Sequence, residues 1–423
     1  MRLFRVLLPL VFIAGAAGLG ATPLRPAFDL QGPGLSITHA GAGLLGGPPR
    51  SLVVNLRGPV ELALLYWAGR DRPCFQAEPD GPCAIPEGRP YKDQLIQFAG
   101  VAVEGVLLGT ESQRDTNAGP INNVGYVADV TRIVQARGTG RQAFPVGNID
   151  PGDGLADLDG AGLLVIYTDP AVSTPARVLV HHGLDFAYGE DRTPGETQVT
   201  DPFTFNHGAA RASARKGRLV TFAADAVGIG PDRIDISRNP SLVDRLDGSS
   251  GPSWDADAFS VDVPAGATAT TVQVFSEPVG RNPDSLLWVM AALWLPLPVP
   301  SGCTEAFWRD SPAAVWGPTG TKPGERVVDL FTEARTYNLL GTSTLQAALR
   351  FQREGGLLGA AKAVVRAGVA AYLNAGHPKL EYPLTRTQVI TQVDTALRSV
   401  DPETMFAVAR GLEEHNGVGC PLD

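Results

Sequence analysis

From residue 28 to residue 297 the chain is a succession of short apolar runs separated by turns, with no long amphipathic helix among them. Runs at 52–56, 60–67, 95–98, 101–108, 125–134, 163–167, 177–181, 218–223, 259–263, 270–275 and 286–295 read as strands. Strands this frequent, without helices to cross over between them, pair antiparallel. Arg57-Gly58-Pro59 separates the first two, and Ala99-Gly100 marks a hairpin between 95–98 and 101–108. In the run 62–67, Leu62, Leu64 and Tyr66 alternate with Ala63, Leu65 and Trp67. Alternate strand residues face opposite sides, so this strand is apolar on both faces and belongs in the middle of a sheet. Forty-nine glycines and 35 prolines supply the turns that such a fold needs. The expectation is an all-β antiparallel sandwich, jelly-roll-like or immunoglobulin-like, followed by a small α-helical C-terminal domain.

The texture changes at residue 301. Residues 345–351 form one short helical candidate. Residues 357–374 place Leu357, Ala361, Val364, Gly368 and Ala371 on one stripe. Thr385-Arg386-Thr387-Gln388 is a capping box, in which the hydroxyl takes a free backbone N–H and the glutamine reaches back. Asp401-Pro402 is an N-cap followed by proline at the first helical position, and that helix runs to Asn416-Gly417. The expected division is a signal peptide over 1–21, a β-sandwich over 22–299 and a helical module over 300–423. Charge divides the same way: residues 301–423 carry 12 basic and 13 acidic groups, so nearly all of the net −9 belongs to the β part. An acidic chain without a basic tract is a poor partner for nucleic acid.

The first residues have the order of a secretory signal: Arg2 and Arg5, an apolar run over 6–14, then small residues over 15–21. The other long apolar run, 286–299, is interrupted by Pro296 and Pro298 and is too short to span a bilayer. No stable membrane span is therefore expected after signal cleavage. Four cysteines fit an oxidising compartment, secreted or at the cell surface. They allow three pairings. Cys74 with Cys83 pins a Pro/Gly/Asp-rich loop, and Cys303 with Cys420 closes the helical module. The second would be worth about 5 kcal/mol in chain entropy.

Several motifs resemble a family of bacterial secreted and surface proteins, often found with adhesin-like modules and without an established activity. They are Leu64-Leu65-Tyr66-Trp67-Ala68-Gly69, Tyr126-Val127-Ala128-Asp129-Val130-Thr131, Gly162-Leu163-Leu164-Val165-Ile166-Tyr167-Thr168-Asp169-Pro170, Trp254-Asp255-Ala256-Asp257-Ala258-Phe259 and Asp284-Ser285-Leu286-Leu287-Trp288. They follow one another over residues 50–295 in that family's order. The tail, from Gly302-Cys303-Thr304-Glu305-Ala306-Phe307-Trp308-Arg309 to Asn416-Gly417-Val418-Gly419-Cys420-Pro421-Leu422, resembles a small module at the C-termini of exported bacterial proteins. Ala306 and Arg309 stand where that module usually has Gly and Lys. The resemblance implies fold and location rather than chemistry.

Chemistry is sparse. There is no nucleophile elbow, zinc-helix motif or phosphate loop. His181-His182 ends a strand, and adjacent strand positions face opposite ways, so the pair cannot serve one site. The densest acidic cluster is Asp150, Asp153, Asp157 and Asp159 in a glycine-rich loop. It is a candidate calcium site, since Ca²⁺ takes six to eight oxygens from flexible backbone; the competing reading is solvated loop charge. A second acidic stretch holds Asp244, Asp247, Asp255 and Asp257. Trp254, flanked by Ser253 and Asp255, is the candidate exposed aromatic for ligand binding. The expected function is that of a secreted, non-catalytic surface or matrix protein in adhesion or assembly, its partner a cell-surface or matrix component or a glycan. The alternative is a carbohydrate-binding or carbohydrate-cleaving secreted protein.

Overall fold

The computed structural model describes residues 22–45, 49–71, 94–115, 119–148, 156–188, 199–210, 212–225, 232–237, 246, 250–251, 253–276, 285–337, 340–352 and 354–422. The signal segment, Cys74, Cys83, Asp150, Asp153, Asp244 and Asp247 lie outside them. The chain divides into two compact units, one carrying all the sheets and one comprising residues 209–214, 264–266 and 298–423.

In chain order the strands are β1 (Thr22–Pro33), β2 (Leu35–Gly43), β3 (Arg50–Leu56), β4 (Val60–Asp71), β5 (Leu95–Phe98), β6 (Val101–Glu104), β7 (Val106–Asp115), β8 (Gly119–Asp129), β9 (Gly140–Asn148), β10 (Ala156–Thr168), β11 (Pro175–Tyr188), β12 (Phe203–Asn206), β13 (Arg215–Ala224), β14 (Arg233–Ile236), β15 (Trp254–Val263), β16 (Ala269–Phe275) and β17 (Ser285–Pro296). They form four open antiparallel sheets, ordered β1-β11-β17-β13-β15, β2-β10-β4-β8-β7, β3-β9-β5-β6 and β12-β16-β14.

The apolar pattern explains how these sheets stack. In β4, Leu62, Leu64 and Tyr66 pack with Val178, Val220, Phe222 and Met290 of the other five-stranded sheet. The alternate residues Ala63, Leu65 and Trp67 pack with Leu52, Val54, Phe98 and Phe144 of the four-stranded sheet. On β17 the same division holds. Leu287 and Val289 face the first interior, while Trp288, Ala291 and Leu293 face Phe205, Ile234 and Val274 of the three-stranded sheet. The unit is thus a sandwich of two five-stranded sheets, each covered on its outer face by a smaller sheet. Three apolar layers result, and β4, β10, β13 and β17 are buried on both sides. Each fully buried Leu or Phe contributes about 1.5–3 kcal/mol, so the doubly covered strands hold much of the unit's stability. A polar residue in these layers needs its own partner. Thr221 has two: it accepts from Trp288 Nε1 (2.6 Å) and donates to the Met290 carbonyl (3.0 Å).

The expected strands are present, with adjustments. The hairpin at Ala99-Gly100 forms with Phe98 opposite Val101. The run 101–108 is two strands, because the chain leaves one sheet for another at Gly105. A Cβ there would lie 2.5 Å from the Trp67 ring, which accounts for glycine at that crossing. The run 125–134 ends as a strand at Asp129, and a short helix α1 (Thr131–Gln135) follows.

The second unit contains α2 (Glu305–Asp310), α3 (Ala313–Trp316), α4 (Val327–Leu330), α5 (Leu345–Ala348), α6 (Gly356–Gly376), α7 (Arg386–Ser399) and α8 (Pro402–Asn416). Thr385 and Gln388 form the capping box. The Asp401 carboxylate accepts from the Glu403 and Thr404 N–H groups. By length and composition α6 could cross a membrane, but Ala361, Val364, Val365 and Ala371 are buried in this unit's own core. Cys303 and Cys420 are joined by a disulfide.

Two asparagines organise the place where the disulfide sits. Asn374 Oδ1 accepts from Cys303 N (2.9 Å) and Trp308 Nε1 (2.8 Å). Its Nδ2 donates to the Cys303 carbonyl (2.8 Å) and to Asn416 Oδ1 (3.0 Å). Asn416 Oδ1 also accepts from the Tyr382 hydroxyl (2.8 Å), and its Nδ2 donates to Glu305 Oε1 (2.9 Å). Both asparagines are fully buried. The two ends of the tail motif, Gly302–Glu305 and Asn416–Gly419, therefore meet at one satisfied polar hub, closed by Gly302 N donating to the Gly419 carbonyl (2.9 Å). Removing such a hub strands several buried groups, each costing about 1–3 kcal/mol. Asn374→Ala should lower the unfolding free energy of the helical transition by several kcal/mol and its urea midpoint with it, followed by far-ultraviolet circular dichroism. An unchanged midpoint would mean that water satisfies the hub.

Candidate functional site

The carboxyl ends of β4, β11 and β13 and the amino ends of β8, β10, β15 and β17 lie at the same end of the two central sheets, as their antiparallel registers require. A charged cluster forms the floor of that end. Arg70, next to last in β4, reaches from its own sheet to Asp225, just beyond β13 in the facing sheet, and its Nη2 donates to Asp225 Oδ1. Its Nε lies 3.6 Å from Asp159 Oδ1 on β10. The second oxygen of Asp225 accepts from the Ser285 hydroxyl. Asp225 adopts φ 56°, and its N–H donates to the Ser253 carbonyl (3.0 Å).

Local backbone irregularity builds this floor. Asp159 is the extra residue of a bulge in the β4–β10 pairing, between Leu158 and Gly160. Next to it, Gly160 leaves room for Trp254: a Cβ at Gly160 would stand 2.5 Å from the Trp254 Cβ. Of the residues singled out from the sequence, Asp159 thus immediately precedes the glycine against which Trp254 packs.

It also corrects the reading of Trp254. The indole is fully buried, with its ring 6.2 Å from Phe222 between the central sheets. Its polar neighbours suggested exposure, but Ser253 and Asp255 are themselves buried. Ser253 takes φ 62° to turn the chain into β15. The residues that read as a solvent loop are a turn folded into the interior.

For the candidate calcium cluster, Asp157 and Asp159 fall on β10 rather than in a loop. Asp159 is completely buried beside Arg70, so the counter-charge it requires comes from a guanidinium. Among the described residues no group of three His, Cys, Asp or Glu side chains is placed to hold a metal ion. Arg70 was not singled out from the sequence. A lone arginine at the end of an otherwise apolar strand, Leu62–Gly69, was the available signal. Two carboxylates on one guanidinium form a structural clamp between the sheets. Arg70→Met would remove the guanidinium that faces both buried acids and should cost about 3 kcal/mol. The variant's melting temperature at pH 7 tests this, with unaltered melting counting against the clamp.

The histidine pair faces opposite ways, as strand geometry requires. His181 stacks on Phe203 (4.8 Å between centroids) and meets Phe205 edge-on (4.7 Å). His182 points into the central interior, where its Nδ1 lies 3.2 Å from the Tyr66 hydroxyl. Burial lowers each imidazole to about 4. His39 is likewise lowered to about 4, by burial first and by Arg218 second. Asp185, accepting from Asp201 N (2.9 Å), is raised to about 7 by burial.

These shifts have opposite signs in stability. The unfolded chain protonates a histidine near 6.5, the folded chain only near 4, so folding weakens as pH falls through that window. Asp185 is protonated in the folded chain below about 7 and in the unfolded chain below 3.8, so its contribution grows as pH falls. Three groups outweigh one. Stability should drop from pH 6.5 to 4.5, and His181→Phe, which preserves the stacking, should flatten that drop by up to about 1.4 kcal/mol per pH unit. Melting scans at pH 4.5, 5.5 and 6.5 measure it; a parallel curve for the variant would assign the pH dependence to other groups.

No family model matches the chain, and no curated protein matches it. Two solved structures show a weak likeness. A structure of infectious bursal disease virus, Gx strain, is 12% identical, covers 67% of this chain and 74% of its own, and has a TM-score of 0.19. The mavirus major capsid protein is 9% identical, covers 67% of this chain and 89% of its own, and has a TM-score of 0.15.

Proposed function

We propose that the protein is a secreted, non-catalytic bacterial surface or matrix protein that works by assembly, of the kind its sequence motifs resemble. The observation that supports this reading is an unguarded sheet edge. Among the described residues β6 pairs only with β5, and β7 only with β8, so the stretch from β6 through Gly105 into β7 forms consecutive edges of two sheets. Exposed edges in soluble proteins are usually blunted by lysine, proline or bulges. From Val101 to Thr110 there is no Lys, Arg or Pro, and a single bulge at Leu108. Val101, Val106 and Leu107 are 41–47% exposed, and Leu95 in the adjoining strand is 44% exposed. A sheet edge beside exposed aliphatic side chains suits the addition of another strand. The carbohydrate alternative loses its aromatic platform, since Trp254 is buried.

The purified protein should associate with rising concentration in sedimentation velocity. Val101→Lys with Val106→Lys should keep it monomeric while leaving its melting curve unchanged, because both positions are exposed. A wild-type protein that stays monomeric, and variants that bind cells or matrix as it does, would reject this edge as the working surface.

A further inference from the structure

β1 is a lightly held edge. Among the described residues it pairs only with β11, at the margin of its five-stranded sheet. Its register breaks twice, between Thr22 and Arg25 and between Pro26 and Phe28. Pro23, Pro26 and Pro33 have no N–H to give to the ladder. Among its described side chains only Leu24 is fully buried, while Phe28 and Leu30 are partly buried against the central interior. The firmest attachment is ionic: Arg177 of β11 donates from Nε to Asp29 Oδ1 (2.8 Å) and from Nη2 to Asp29 Oδ2 (2.6 Å).

The far end of β1 is a hinge one residue long. β1 ends at Pro33 and β2 begins at Leu35, yet β2 belongs to the facing five-stranded sheet, where it pairs with β10. Gly34 alone makes the crossing. It adopts φ 67°, and a Cβ there would stand 2.7 Å from the carbonyl oxygens of Asp169 and Val172. Pro33 has a fixed φ and biases Gly32 toward extended backbone, so the chain is stiff up to the hinge. Straightening at Gly34 joins β1 and β2 into one continuous strand. It carries β1, twelve residues and about 40 Å long, away from its own β11 as a unit.

A strand released in this way finds its complement on a second copy of the chain. Each contact that β1 makes with β11 can be made with β11 of another molecule, so the closed and exchanged forms differ chiefly at the hinge. We propose that β1 is an exchangeable strand, and that two copies of this chain pair by each laying β1 against β11 of the other. This route is separate from the β6–β7 edge and does not rest on it.

The Asp29–Arg177 pair provides the test, in the full chain carrying Val101→Lys and Val106→Lys so that the other edge is silent. Asp29→Arg alone and Arg177→Asp alone each set like charges against one another within a copy. Each should refold from urea to a monomer with a lowered melting temperature. When the two variants are refolded together, strand exchange restores both pairs at once, the reversed one and the native one. Native mass spectrometry should then find mostly dimers containing one copy of each variant, with the melting temperature recovered. A mixture that refolds to two monomers, or to dimers of random composition, would overturn the proposal. Gly34→Ala is a check independent of the ion pair. Alanine is strained at φ 67° in the closed form and at ease in the extended one, so this variant should shift toward a dimer that persists on dilution. A Gly34→Ala protein that stays monomeric and merely melts lower would count equally against exchange.

Discussion

Two five-stranded sheets whose central strands have no solvent face set the terms for everything else in the β unit. Once β4 and β17 carry apolar side chains on both sides, a single sandwich cannot satisfy them, because one face of each sheet would stay in water. The four-stranded and three-stranded sheets are the covers this demands. They are short, and only their inner faces are buried: in β3 the burial alternates strictly from Leu52 to Leu56. The central strands hold the interior, and strands such as β6 and β7 supply edges.

The same constraint places the charged groups. With both faces of the central sheets dry, ionisable side chains have room only where strands end, and those that remain inside must be paired or neutral. Arg70, Asp159 and Asp225 meet at one end, tying one central sheet to the other. His181 and His182 sit within strands and are held as neutral imidazoles by burial. The interior thus uses its polar residues as fasteners.

Much of this organisation was legible in the residues, and the parts that were not share a cause. The doubly apolar run at Leu62–Trp67 announced a central strand, and the capping signals at Thr385 and Asp401 marked two helix starts. These are local signals, written in neighbours along the chain. The covering sheets were not foreseen, because which sheet a strand joins depends on partners far away in sequence, as with β3 and β9. Trp254 was misread for the same reason. Its neighbours in sequence are polar, while its neighbours in space are Gly160 and Phe222. Arg70 escaped notice because a single charge at a strand end is ordinary until the opposing sheet brings Asp225 to it. Cys303 and Cys420 were the exception among distant pairs, since cysteines flanking a helical run carry their own long-range signal.

The hub at Asn374 and Asn416 has a mechanical meaning. Gly302 and Gly419 are hydrogen-bonded neighbours, and Cys303 is covalently joined to Cys420. A pulling force that entered the chain at residue 302 and left at residue 420 would pass through the disulfide and would not load α6, α7 or α8. The intervening helices lie off the line of tension, so this module can transmit load while its own fold stays slack.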